Sequence, residues 1–138
     1  MNRPIEFRVW DGEKLHYPPA ILFNSFAIFW QYSKEEPIYS TGERGYVQQF
    51  TGLLDKNGKK IFEGDIVECC FNMRQDKKNL GIIKFCEKYG NMGVLITDAQ
   101  VHVNAQNVPK PFFNFITNSG ELLVEVIGNI FENPELLQ

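Results

Sequence analysis

The chain of 138 residues is long enough for one domain with a real hydrophobic core, without disulfide or metal staples. Its hydrophobic (43%) and charged (22%) fractions are those of a soluble globular protein, and an aromatic share of 14%, led by twelve Phe, leans toward strands. A formal net charge of −3 excludes a global positive field for a polyanion and leaves only a local basic patch for that purpose.

In "IEFRVWDGEKLHY", Ile5, Phe7 and Val9 alternate with Glu6 and Arg8, which predicts a strand with an apolar and a polar face. Asp11-Gly12 supplies the turn of a hairpin whose second strand carries Leu15 and Tyr17, and Pro18-Pro19 ends it. Residues 21–32, rich in aromatic and branched side chains, are expected as a further strand, and the polar stretch from Ser33 to Gly45 as an exposed loop. "YVQQFTGL" reads as a strand and Asp55-Lys56-Asn57-Gly58 as a turn. "KKIFEGDIVECCF" reads as an extended arm broken at Gly64, with Asp65 placed to bond a nearby backbone N–H. "NMRQDKKN" is a polar loop before the strand "LGIIKFC". Tyr89-Gly90-Asn91 turns the chain into "MGVLIT", and "VHVN" continues the sheet. Residues 105–120 are mixed, since two prolines oppose a strand while three Phe need burial. "ELLVEVIGNIF" is the last strand, followed by a short helix at "PELLQ" with Asn133 as its N-cap. No repeat or linker interrupts this series, so residues 1–138 are expected to form a single all-β domain, a small barrel or roll.

Glu63 and Asp65 are the best carboxylate pair for acid–base chemistry, but beside a turn glycine they read first as a structural corner, with Gly52, Asn57, Gly58 and Gly64. Cys69, Cys70 and Cys86 suit neither a disulfide framework nor a zinc site, because adjacent cysteines on a strand face opposite ways; buried thiols are expected. His16 and His102 have no Cys, Asp or Glu at ligand spacing, so neither metal nor cofactor is expected. Lys56, Lys59 and Lys60, with Arg74, Lys77 and Lys78, form two basic loops. These either keep hairpin corners soluble or contact single-stranded nucleic acid. Phe112, Phe113 and Phe115 in "PFFNF" cover the core or form an interface with another chain. The N-terminus lacks a signal-peptide core, and "AILFNSFAIFWQY" is too short and interrupted to span a bilayer, so an intracellular protein is expected, with no membrane role.

"IEFRVWD", "QFTGLLDKNGKKIFEGDIVE", "GIIKF" and "EVIGNIFENPELL", in that order and spacing, resemble the YopX family of phage and prophage proteins. The resemblance spans most of the chain apart from residues 18–45 and 99–120. It implies a mainly β fold of SH3 type and a phage or prophage origin, acting in the cytoplasm of a bacterial host. It supplies no activity and no catalytic residues. The function expected is that of a non-enzymatic accessory protein that binds other protein chains of unknown identity and associates with itself. A single-stranded nucleic-acid-binding module is the alternative, and an enzyme the third reading.

Overall fold

The computed structural model describes residues 4–23, 27–41, 45–70, 77–97 and 108–138. The fold is mainly β: twelve strands and two short 3₁₀ turns lie among those residues, and all their registered strand pairs are antiparallel. The chain divides into two compact units, Met1–Phe50 and Thr51–Gln138.

In the first unit β1 (Phe7–Trp10) and β2 (Leu15–His16) form the expected hairpin over Asp11-Gly12, with Val9 opposite His16. The start of β6 (Tyr46–Leu54) pairs on the other side of β1, with Arg8 opposite Gln48. The faces expected of β1 are observed only in part: Val9 is fully buried as expected, but its polar neighbour is buried too. Arg8 is buried, its Nε donating to Gln48 Oε1 at 2.7 Å, while Ile5 is 71% exposed. Period-two alternation assigns faces but cannot see that a cross-strand amide will satisfy a buried guanidinium.

The stretch expected as one strand over 21–32 is two. β3 (Ala20–Phe23) and β4 (Ile28–Gln31) pair antiparallel, Ile21 opposite Trp30 and Leu22 opposite Phe29. The loop expected from 33 to 45 contributes a third strand, β5 (Tyr39–Ser40), against β4. Aromatic and branched side chains on both strands carry no period that separates one from the next, which is why periodicity missed the division.

In the second unit the end of β6 pairs with β7 (Lys60–Phe62), and Thr51 Oγ1 donates to the Ile61 carbonyl at 2.8 Å. The main sheet runs β11-β10-β9-β8-β12, from β8 (Asp65–Cys69), β9 (Asn79–Cys86), β10 (Asn91–Ile96), β11 (Lys110–Pro111) and β12 (Val124–Asn129). Its core is Ile61, Val67, Cys69, Ile83, Val94, Phe115 and Val124, so Cys69 fills the place of a small hydrophobe, as expected. "VHVN", with His102, lies outside the described residues.

β12 carries a bulge: Val126 faces Val67 and Gly128 faces Ile66, so Ile127 has no partner. A Cβ at Gly128 would lie 2.6 Å from Asn133 Oδ1, a contact only glycine permits. The expected C-terminal helix is a single 3₁₀ turn, Pro134–Leu137, and Asn133 does not cap it with its side chain. Asn133 Oδ1 instead accepts from the Asn129 N–H at 3.2 Å, while Asn129 Oδ1 accepts from Phe131 and Glu132. "GNIFENP" thus closes the end of a strand rather than starting a helix.

Candidate functional site

The stretch 51–65 is built as a corner. Gly52, Gly58 and Gly64 have φ of 87°, 83° and 84°, in the left-handed region where a side chain is strained. Gly64 N–H donates to the Ile83 carbonyl, and its own carbonyl accepts from Ile130. Asp65 is 2% exposed, and its Oδ2 accepts the Phe62 N–H at 2.8 Å, the bond expected of it. Glu63 is half-buried beside it.

Asp55, legible in the sequence only as part of a turn, does more than make one. Asp55 Oδ1 accepts from the backbone N–H of Asn57 at 2.8 Å and of Lys59 at 2.9 Å, and Oδ2 accepts from Val126 at 2.9 Å. Lys56 N–H donates to the Val124 carbonyl at 3.0 Å. β12 is the outer strand of its sheet, so the Asp55–Asn57 turn covers an edge that would otherwise offer unpaired groups to another chain.

The same turn occupies part of the expected basic surface. Lys56 Nζ lies 2.9 Å from Glu125 Oε2, and Asn57 Nδ2 donates to Glu125 Oε1. The bond from Lys56 to Glu125, and then the charge of Glu125, raises the Lys56 pKa. The bond from Lys56 likewise holds the Glu125 carboxyl below its ordinary range. Lys78 pairs with Glu68 at 3.2 Å. Lys59, Lys60 and Lys77 are exposed, and Arg74 lies outside the described residues. Two of the six cations named from sequence are therefore neutralised by carboxylates.

The three Phe of "PFFNF" part company. A 3₁₀ turn, Phe112–Phe115, stacks positions three apart, so Phe112 packs against the core and Phe115 lies within it at 0% exposure. Phe113 faces the other way and is 71% exposed. Of the three, Phe113 alone is exposed. Cys86 is buried and Cys70 half-buried; none of the three cysteines forms a disulfide, and no group of three His, Cys, Asp or Glu able to hold a metal occurs among the described residues.

His16, read from sequence as isolated, sits at the centre of a hydrogen-bonded chain. Its Nε2 is 2.6 Å from Asp11 Oδ2 and its Nδ1 is 2.6 Å from the Tyr32 hydroxyl. Asp11 Oδ1 also accepts from the Glu13 and Lys14 N–H groups. Burial alone would raise the Asp11 pKa. The His16 bond, the two backbone bonds and the charge of His16 more than offset that and lower it to about 2. The His16 ring lies 4.7 Å from Trp30, which stacks on Tyr39 at 5.9 Å. Chemically the chain can pass the Tyr32 proton to an imidazole oriented by a carboxylate. Structurally it fastens β2 to the residue that follows β4. Local spacing could not have found it, because Tyr32 reaches His16 only through the β3–β4 hairpin.

On the same unit the β3–β4–β5 sheet presents an apolar groove of 340 Å³, lined by Ala20, Ile21, Leu22, Phe29, Trp30 and Ile38 among others. Leu22 is 73% and Ile38 68% exposed. No described helix is long and apolar enough to cross a membrane.

The family model described as YopX protein matches residues 6–138. The chain belongs to the YopX family. Among solved structures it is similar to protein EF1440 from Enterococcus faecalis, at 26% identity and a TM-score of 0.61, over 99% of this chain and 100% of that one. It is also similar in fold to protein yopX from Bacillus subtilis, at 19% identity and a TM-score of 0.57, over 96% and 95% of the two chains. No curated protein matches it.

Proposed function

We propose that this YopX-family protein is a phage or prophage accessory protein that works in the cytoplasm of a bacterial host by binding protein chains, a second copy of itself among them, and not by catalysis. The observation that carries this reading is the outer edge of β3. Ala20-Ile21-Leu22-Phe23 forms one side of its sheet and contains no charge and no proline, the devices that keep natural edges from pairing. Two copies joined antiparallel along β3 make a two-fold, self-complementary contact. It continues the sheet and draws the exposed Leu22 and Ile38 of each copy into cover. Phe113 is a second exposed anchor. Against catalysis, the strongest carboxylate expected from sequence, Asp65, is committed to a backbone N–H.

The family match runs across both compact units, which supports treating residues 1–138 as one functional domain. The SH3-type reading rests on strand order. A four-stranded meander, β8 to β11, leads through a 3₁₀ turn into a last strand that returns beside the first. The nucleic-acid reading through Lys56, Lys59, Lys60, Lys77 and Lys78 loses support from the Glu125 and Glu68 pairs.

The test is light scattering across salt concentrations. The expected mass exceeds that of the monomer and does not fall with added salt, because the proposed contact is uncharged. Leu22→Lys should return it to the monomer without unfolding. A wild-type monomer at all concentrations refutes self-association.

A further inference from the structure

We infer that the second unit carries a binding groove for single-stranded nucleic acid, on a surface separate from the basic loops read from sequence. The cavity, 560 Å³, lies beside β11 and the turn after β9 and falls in the size range of ligand sites, roughly 300–1,000 Å³. Lys88 and Lys110 line it, together with Tyr89, Phe113, Asn91 and Asn114, and among the described residues no carboxylate does. Glu87, in the same turn, is exposed but is not part of the lining. Lys56 and Lys78, by contrast, are paired with glutamates. Among the described residues, the groove therefore presents two lysines with no carboxylate in its lining.

The aromatic rings decide between anionic partners. Tyr89 and Phe113 are 61% and 71% exposed and line the same groove, so two aromatic faces are offered beside its lysines. The 3₁₀ turn turns Phe113 outward while sending Phe112 and Phe115 to the core, so its exposure follows from the backbone. Lys88 Nζ stands 5.3 Å from the centre of the Tyr89 ring, which keeps a cation beside a stacking platform. Phosphates against lysines with bases on aromatic rings is the recognition mode of sequence-tolerant single-strand binding. The side-chain amides of Asn91 and Asn114 add donors and acceptors for base edges. An acidic peptide would use the lysines and leave both rings unexplained. A narrow site with two cations on a chain of net charge −3 predicts modest affinity with a shallow salt dependence.

The experiment is anisotropy of a labelled oligothymidylate eight nucleotides long, titrated with the full chain. Two neutralised phosphates on a single strand predict about a sevenfold loss of affinity between 50 and 200 mM salt. Phe113→Ala, at an exposed position, should weaken binding at least about fivefold. Lys88→Glu with Lys110→Glu should abolish it, whereas Lys59→Glu with Lys60→Glu, the same charge change on the other loop, should leave most of it. Equal loss from the two double variants, or no effect of Phe113→Ala, overturns the assignment. So does a hexaglutamate peptide that binds as well as the oligonucleotide, or no binding at 50 mM salt. Leu22→Lys, which tests the β3 contact, alters neither a lysine nor a ring of this groove, so each proposal can fail while the other stands.

Discussion

Replacing Asp55 with alanine removes three acceptor contacts at once, to the N–H groups of Asn57, Lys59 and Val126. Asn57 and Lys59 are exposed, so their amides regain water and their loss together should cost about 1 kcal/mol. The Val126 N–H is half-enclosed at the sheet edge, and a buried donor without an acceptor costs about 1–3 kcal/mol. The total expected is about 2–4 kcal/mol. Asp55→Asn distinguishes this from a simple packing effect. Whichever way the amide is turned, its NH₂ group faces at least one backbone donor, so about 1–2 kcal/mol should still be lost. Urea unfolding followed by far-ultraviolet circular dichroism measures the change, because both tryptophans, Trp10 and Trp30, lie in the other unit. Hydrogen exchange locates it, with protection expected to fall first at Val126 and Lys59. A loss below about 0.5 kcal/mol for the alanine variant, or unchanged protection at Val126, would refute the edge-covering role.

Gly64→Ala should cost about 1 kcal/mol or more, because φ is 84° there, and Asp65→Asn less, since its amide oxygen can still accept the Phe62 N–H; the melting temperatures decide the order. A carboxyl held at about 2 in the folded chain, against an ordinary 3.8, stabilises the fold above the unfolded value. That stabilisation disappears as pH falls through the folded one. For Asp11, 21% exposed at the side chain, it amounts to about 1–2 kcal/mol, lost between about pH 5 and 2. His16→Gln should raise the Asp11 titration midpoint in a carboxyl carbon NMR titration. Chelator and reductant should leave the thermal transition unchanged; stoichiometric zinc surviving dialysis would point to Cys69 or Cys70 with Cys86.

Turn chemistry was the legible part of this fold. Asp11-Gly12, Asn57-Gly58 and Gly64-Asp65 each fix a local backbone conformation through residues next to one another, so four or five letters suffice to read them. Contacts made by the same side chains across the fold were not legible. Asp55 looks like any turn aspartate until β12 arrives 71 positions later, and His16 looks isolated until Tyr32 is folded over it. The aromatic run showed the reverse failure. "PFFNF" reads as one feature because its letters are adjacent, yet a turn of three residues sends two rings inward and one out.

Both surfaces proposed here follow from asking where the chain leaves a group without its usual cover. Lys56 and Lys78 have glutamates, and the edge of β12 has the Asp55 turn, so neither is open to a partner. The edge of β3 has no charged or proline gatekeeper, and Lys88 and Lys110 share a groove with exposed rings and, among the described residues, no carboxylate. The contrast between the two edges matters most. A chain that covers β12 with two hydrogen bonds to its backbone, at Val124 and Val126, does not lack means of protecting an edge, so an apolar, uncharged β3 points to a strand meant to be paired. If that is right, placing a lysine at Ile21 or Leu22 should remove self-association and leave the oligonucleotide groove as it was.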